Sequence, residues 1–231
     1  MFRAARILRS IPLVHESKNV IIKSLPVTPL GMNQYMIMCQ SLNEAAIVDC
    51  GDDEPQRWID EASADNMKIT KLLQTHGHVD HVCGLKATKE LLPDAPIHSH
   101  PDDYMIFKSA PAQGMMFGLK CPMPPGSDVD IVEGTVLKVG KLSVTCLHTP
   151  GHSPGHVSFH IAEEKVLISG DLIFQGSIGR TDFPGCSIEA MRDSLERIKT
   201  MDDDVIIMPG HMGLTSVGVE KATNPFLNGG I

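Results

Sequence analysis

Short apolar runs, mostly about four to eight residues long and closed by Gly, Pro or a charged turn, dominate the hydrophobic pattern of this chain. Val20 to Val27 reads as a strand broken by Pro26. Gln34 to Gln40 and Ala45 to Cys50 read as two more, with Ser41-Leu42-Asn43-Glu44 as a hairpin turn between them. Helical spacing first appears in Pro55 to Ala64, where Trp58, Ile59 and Ala62 recur at turn intervals and Pro55 suits a first turn. Ile69 to Gln74 then predicts a strand, Leu85 to Leu92 a helix and Ala95 to His98 a short strand. Beyond it the pattern weakens. His100 to Asp103 reads as a helix start that Tyr104 to Phe107 continues, and Ala110 to Pro125, rich in Gly, Pro and Met, reads as a surface loop. Met115, Met116 and Phe117 in that loop are either ordinary packing or the lining of an adaptable pocket. In the second half Asp130 to Val132, Val136 to Val139, Leu142 to His148, Val157 to Ile161, Val166 to Ser169 and Val205 to Met208 predict strands. One helix, Ser187 to Thr200, is capped by Ser187.

Strand runs and helices in this order predict an α/β protein of the α+β type. Two mostly antiparallel or mixed sheets pack face to face with helices outside, in place of a parallel doubly wound sheet. At 231 residues the chain suits a single domain over residues 19–231, and no internal repeat interrupts it. Hydrophobic residues at 42% and charged residues at 21% are ordinary for a globular protein. A net charge of −8 without any basic run gives no footprint for nucleic acid. No apolar run approaches the length of a membrane span. The cysteines are scattered without a CxxC pair, which fits reduced thiols, and Cys83 reads as a small buried one. Residues 1–18 differ in character. Arg3, Arg6 and Arg9 alternate with Phe2, Ile7, Leu8 and Ile11, and no acid precedes Glu16. This is transit-peptide composition, predicting a mitochondrial address; an untargeted, frayed segment of a cytoplasmic protein is the alternative.

Candidate chemistry concentrates in Thr75-His76-Gly77-His78-Val79-Asp80-His81, between a predicted strand and a predicted helix. Imidazole nitrogens and carboxylate oxygens are the donors that zinc and neighbouring first-row ions take. Three further strand ends repeat one design, an apolar run, a glycine and then a ligand type: Gly151-His152, Gly170-Asp171 and Gly210-His211. His76, His78, His152 and Asp171 can hold one ion, and Asp80, His81, Asp171 and His211 a second, with Asp171 bridging. A structural zinc site needs four ligands and would leave the others unexplained, so the set points to catalytic metal. His98 and His100 alternate on a strand and are expected to be structural.

These stretches, in this order over residues 20–211, resemble the metallo-β-lactamase superfamily. Asp171 and His81 are similar to the glyoxalase II-like (hydroxyacylglutathione hydrolase-like) branch, and so are the runs Gly176 to Gly185 and Asn224 to Leu227. The resemblance implies an αβ/βα sandwich and two divalent ions, zinc or iron, with manganese also accepted. It implies hydrolysis of a small-molecule thioester, S-acyl glutathione, by attack of a metal-bridging hydroxide. Asp80 and Asp171 would then be the catalytic carboxylates, Asp80 orienting the hydroxide. Arg180 stands where the family has a basic glutathione contact, with a salt bridge to Asp182 as its alternative role. The family's C-terminal helical glutathione-binding domain has no counterpart in residues 212–231, and Gly213 and Asp182 replace its two tyrosines. The Gly-Arg-Thr-Asp-Phe run also resembles persulfide dioxygenases. These hold one Fe(II) through positions matching His76, His152 and Asp171; His156 stands where they carry a Cys. Oligomeric state, acyl group and metal identity stay open.

Overall fold

The computed structural model describes residues 10–230. Its first sheet has seven strands in sequential order: β1 (Leu13–Glu16), β2 (Val20–Val27), β3 (Met32–Cys39), β4 (Glu44–Val48), β5 (Lys68–Leu73), β6 (Ile97–Ser99) and β7 (Val129–Asp130). The pairings from β1 to β4 are antiparallel, and those from β4 to β7 are parallel. Helices α1 (Gln56–Ala64), α2 (Val79–Val82), α3 (Leu85–Leu91) and α4 (Tyr104–Phe117) supply the crossovers that parallel strands require. In the second sheet β8 (Val136–Val139), β9 (Leu142–His148), β10 (Val157–Ile161) and β11 (Val166–Gly170) run as a meander. A ribbon of β12 (Ile173–Phe174) and β13 (Ser177–Ile178), helix α5 (Ile188–Lys199), β14 (Ile206–Pro209), β15 (Thr215–Ser216) and α6 (Val217–Thr223) complete the chain. Of these, β14 joins β11 in parallel.

Alternation along the strands explains the layers. In β2, Val20 and Ile22 face the second sheet and pack with Val139, Phe159 and Ile161, while Ile21 turns to the helical side. Trp58 and Ala62 of α1, Leu85 of α3 and Phe107 and Ala110 of α4 cover the outer face of the first sheet over Met36, Met38 and Leu72. Met191, Leu195 and Ile198 recur at i, i+4 and i+7 of α5 and cover Leu167 and Ile207 on the second sheet. Ser187 caps α5 as expected, its hydroxyl accepting from the Ala190 N–H. The expected sandwich is the one found. Pro26 is tolerated because β1 pairs with β2 only as far as Lys23, leaving the strand an edge there.

Three expectations need correction. The sandwich begins before residue 19: β1 pairs with β2, and Ile11 is buried in the core under α1. A four-residue strand next to a basic segment carries too little alternation to be recognised. The basic part of the proposed targeting segment, Arg3 to Arg9, lies outside the described residues. Ala110 to Phe117 is helix, not loop, although α4 contains Pro111. Burial of Phe107, Ala110 and Gly114 outweighs the proline, and Gly118, with φ of 69°, closes the helix. The strand expected at Asp130 to Val132 is Val129–Asp130, and the ligand loop contains the short helix α2.

Candidate metal centre

Each candidate ligand stands at the same edge of the sandwich, just past a strand. His76 and His78 follow β5, Asp80 and His81 lie on α2, and His152, Asp171 and His211 follow β9, β11 and β14. The glycines before them have different tasks. Gly170 takes φ of 52°, a left-handed conformation that glycine adopts without penalty. Gly210 instead allows close approach, because a Cβ there would meet Asp171 Oδ1 at 2.1 Å.

The structure brings all seven candidates together. His76, His78 and His152 form one group, Asp80, His81 and His211 another, with ligand atoms within 4.8 Å of one another in each. Asp171 lies between them. Its Oδ1 is 3.4 Å from His81 Nε2, and its Oδ2 is 3.4 Å from His152 Nε2 and 3.5 Å from His211 Nε2. Asp80 Oδ2 is 3.2 Å from His211 Nε2. The buried atoms His76 Nε2, His81 Nε2 and Asp171 Oδ1 have no hydrogen-bond partner, a costly arrangement unless another group takes their lone pairs. This donor set fits one or two divalent cations.

Residues behind the ligands fix which imidazole nitrogen faces the centre. His152 Nδ1 donates to the Arg180 carbonyl at 2.8 Å, leaving Nε2 for the centre. His81 Nδ1 lies 2.8 Å from Asp49 Oδ2, and the same carboxylate accepts from the Thr75 amide and hydroxyl. His76 Nδ1 is 3.0 Å from that hydroxyl, so Asp49 holds three parts of the ligand loop. His78 presents Nδ1 instead, 2.8 Å from His152 Nε2. Burial and the neighbouring imidazoles push His78 down to about 3 and His76 well below its usual range, so both offer free lone pairs at neutral pH. His81 goes the other way: burial opposes its charge, but Asp171, Asp49 and Asp80 together raise it well above its usual range. The same carboxylates would attract a cation.

Two further supports were not visible in the sequence. Asp103, buried at the start of α4, accepts from the Gly77 amide (2.8 Å), the Ser153 hydroxyl (2.8 Å) and the Gly155 amide (2.6 Å). It thereby joins the loop carrying His76 and His78 to the loop carrying His152. His156 Nε2 accepts from the Asp171 amide at 2.9 Å. Burial lowers His156 to about 3, which keeps this ring neutral and able to accept. Asp49, just past β4, takes φ of 58°, unusual for a non-glycine residue.

The remaining candidates lie outside the two ligand groups, and His100 falls in a separate group with Asp102 and His148. Arg180 makes a bidentate pair with Asp182 at 2.6 and 2.7 Å and lies over the Phe183 ring at 3.7 Å, on the rim of the centre. His100 stacks on His148 and accepts from the Asp102 amide, and His98 is buried on β6. Cys83 is buried, donates to the Gly51 carbonyl and is pushed up to about 12 by burial, which makes it a poor ligand. No disulfide forms among the described cysteines.

The metallo-beta-lactamase superfamily profile matches residues 28–211, and the chain belongs to that superfamily. It is 38% identical over 214 residues to hydroxyacylglutathione hydrolase GloC of Haemophilus influenzae, covering 90% of this chain and 98% of the relative. Among solved structures it is similar to BLEG-1 B3 metallo-beta-lactamase, with a TM-score of 0.82, 30% identity, and coverage of 90% of this chain and 100% of the other. TTHA1623 in a di-iron-bound form aligns with a TM-score of 0.80 and 35% identity, over 88% of this chain and 99% of the other. The protein is therefore a metallo-hydrolase of this superfamily.

Proposed function

We propose that the protein hydrolyses thioesters of the S-acyl glutathione class, S-lactoylglutathione among them, using two divalent ions held by His76, His78, Asp80, His81, His152, Asp171 and His211. The observation that carries this reading is Asp171, set between two ligand groups with contacts to both. The near full-length similarity to a hydroxyacylglutathione hydrolase supports the thioester, and the relative solved in a di-iron-bound form supports a pair of ions.

Bound divalent ions would supply a water acidic enough to ionise near neutral pH and an electrophile for the thioester carbonyl. The chain's own residues do the rest. Asp80, beside His211 and lining the pocket, would orient the attacking water as well as hold an ion. Asp171 is held in place by the His156 ring behind its amide and by the missing side chain of Gly210. The departing thiolate needs no general acid, because thiols ionise at about 8.5, far below alcohols. Arg180 sits at the rim as a contact for the thiol carrier, once freed from Asp182. The similarity to a hydroxyacylglutathione hydrolase supports a small-molecule substrate as the partner, and among the described residues no helix is long and apolar enough to cross a membrane. A mitochondrial address for the basic leading segment belongs to the same proposal, checked by imaging a C-terminal fluorescent fusion for co-localisation with mitochondria.

Metal analysis together with thiol release from S-lactoylglutathione tests this reading. Two ions per chain and thiol release are expected. One iron per chain with persulfide-dependent oxygen uptake and no thiol release would replace it by the dioxygenase alternative.

A further inference from the structure

A second cavity opens beside the metal centre. It is a groove of about 690 Å³ between α4 and the segment after Asp182, with Met105, Ile106, Met116, Phe117, Pro154 and Phe183 in its walls. The smaller pocket over the centre, about 260 Å³, shares His78, Gln113, Phe117 and Phe183 with it, so the two adjoin. Phe183 is the common wall: its ring meets His78 on one side and Phe117 on another, at centroid distances of 5.7 and 6.4 Å. Arg180 packs over the same ring and stiffens it.

The chemistry of the groove selects its occupant. No lysine or arginine is among its lining residues, and the charged group at its edge is the carboxylate of Asp102. Glutathione brings two carboxylates and would meet no cation there. Other thiol carriers that bear phosphate would fare worse. Met116, at 78% exposed, shows an unbranched thioether to solvent where a polar residue would cost nothing. A substrate that spans both cavities therefore places its reacting carbonyl at the metal pocket, its thiol carrier toward Arg180 and its acyl group along the groove. We infer that the groove is an acyl subsite and that the preferred substrates are thioesters of medium-length, apolar acyl chains rather than of lactate. This rests on the thioester reading above and deepens it.

The test is a chain-length series on one carrier, S-lactoyl, S-hexanoyl and S-octanoyl glutathione, with kcat/KM from thiol release. Holding the carrier constant assigns any difference to the acyl group. Each methylene taken up should gain about fourfold, the equivalent of about 0.8 kcal/mol per buried CH2. S-octanoylglutathione, with its longer chain fully taken up, should then exceed S-lactoylglutathione by about 1000-fold. Ala112→Trp places an indole in the groove from an exposed position of α4. It should reduce that ratio below about tenfold with the lactoyl rate unchanged. Octanoate binding, followed by calorimetry, should be measurable in the parent and lost in Ala112→Trp, a readout independent of turnover.

Thiol release from the whole series with a flat profile, or no octanoate binding, overturns the acyl subsite and leaves the hydrolase reading standing. No thiol release from any member overturns both. If a second copy of the chain covered the groove, light scattering would report a dimer that Met116→Glu dissociates, and octanoate would not bind; that result also overturns the assignment.

Discussion

Replacing Asp103 by Asn changes one atom and tests whether this buried carboxylate positions the metal centre. Asp103 accepts three hydrogen bonds, from the Gly77 amide, the Gly155 amide and the Ser153 hydroxyl, and donates none. Burial pushes its carboxyl above the usual range despite those donors, so the ionised form depends on them. An asparagine has one acceptor oxygen. If that oxygen faces Gly155, the NH2 meets the Gly77 amide; if it faces Gly77, the NH2 meets the Gly155 amide. Either orientation sets a donor against a donor and leaves a buried N–H unsatisfied, at a cost of about 1–3 kcal/mol. For a domain of this size, about 2 kcal/mol lowers Tm by about 4–8 °C.

The functional consequence follows from where the two amides are. Gly77 lies between His76 and His78, and Gly155 lies three residues past His152, so movement of either loop spreads one ligand group. Loss of such a support behind a ligand typically costs about 10- to 100-fold in metal affinity. The assay is metal release to a competing chelator beside thermal unfolding of Asp103→Asn, with Asp102→Asn, whose side chain is 61% exposed, as control. Parent-like metal retention would refute the positioning role. A lowered Tm with parent-like retention would reduce Asp103 to a structural residue.

Asp171→Ala removes the carboxylate shared by both ligand groups and should lose metal content and activity together, read by elemental analysis and thiol release. Gly210→Ala forces a Cβ toward Asp171 Oδ1 and should cut activity at least about tenfold while the chain stays folded by circular dichroism. Glu133 is held below its usual range, first by its hydrogen bonds to Arg197, so the pair stabilises the fold above about pH 4.5 and its contribution is lost as pH falls through the lowered value. Glu133→Gln should therefore be less stable than the parent at pH 7 and equal to it in acid below that range, measured by urea unfolding across pH.

The candidate ligands that the fold brings together were legible in the sequence because their signal is local. A strand, a glycine and a His or Asp can be read within a few residues, and the pattern repeats at Gly151, Gly170 and Gly210. The supports were not legible, because each acts across the chain. Asp49 reaches Thr75 and His81, and Asp103 reaches both Gly77 and Gly155, contacts that exist only after the sheets have packed. Strand β1 was missed for the opposite reason. Leu13 to Glu16 has almost no periodicity of its own and becomes a strand through pairing with β2. Helix α4 was cut short by Pro111, whose local preference yields to the burial of Phe107 and Ala110.

Arg180 illustrates the limit most sharply. The family resemblance suggested a contact for the thiol carrier, with a pair to Asp182 as the alternative, and the bidentate pair with Asp182 is formed. Yet its carbonyl, which accepts from His152 Nδ1, is the part that bears on the centre. That contribution belongs to the backbone path after β13 and would survive most side-chain replacements at this position. Arg180→Ala should accordingly disturb the rim and the packing on Phe183 while His152 keeps its tautomer, because the side chain and the backbone of one residue make separate contacts.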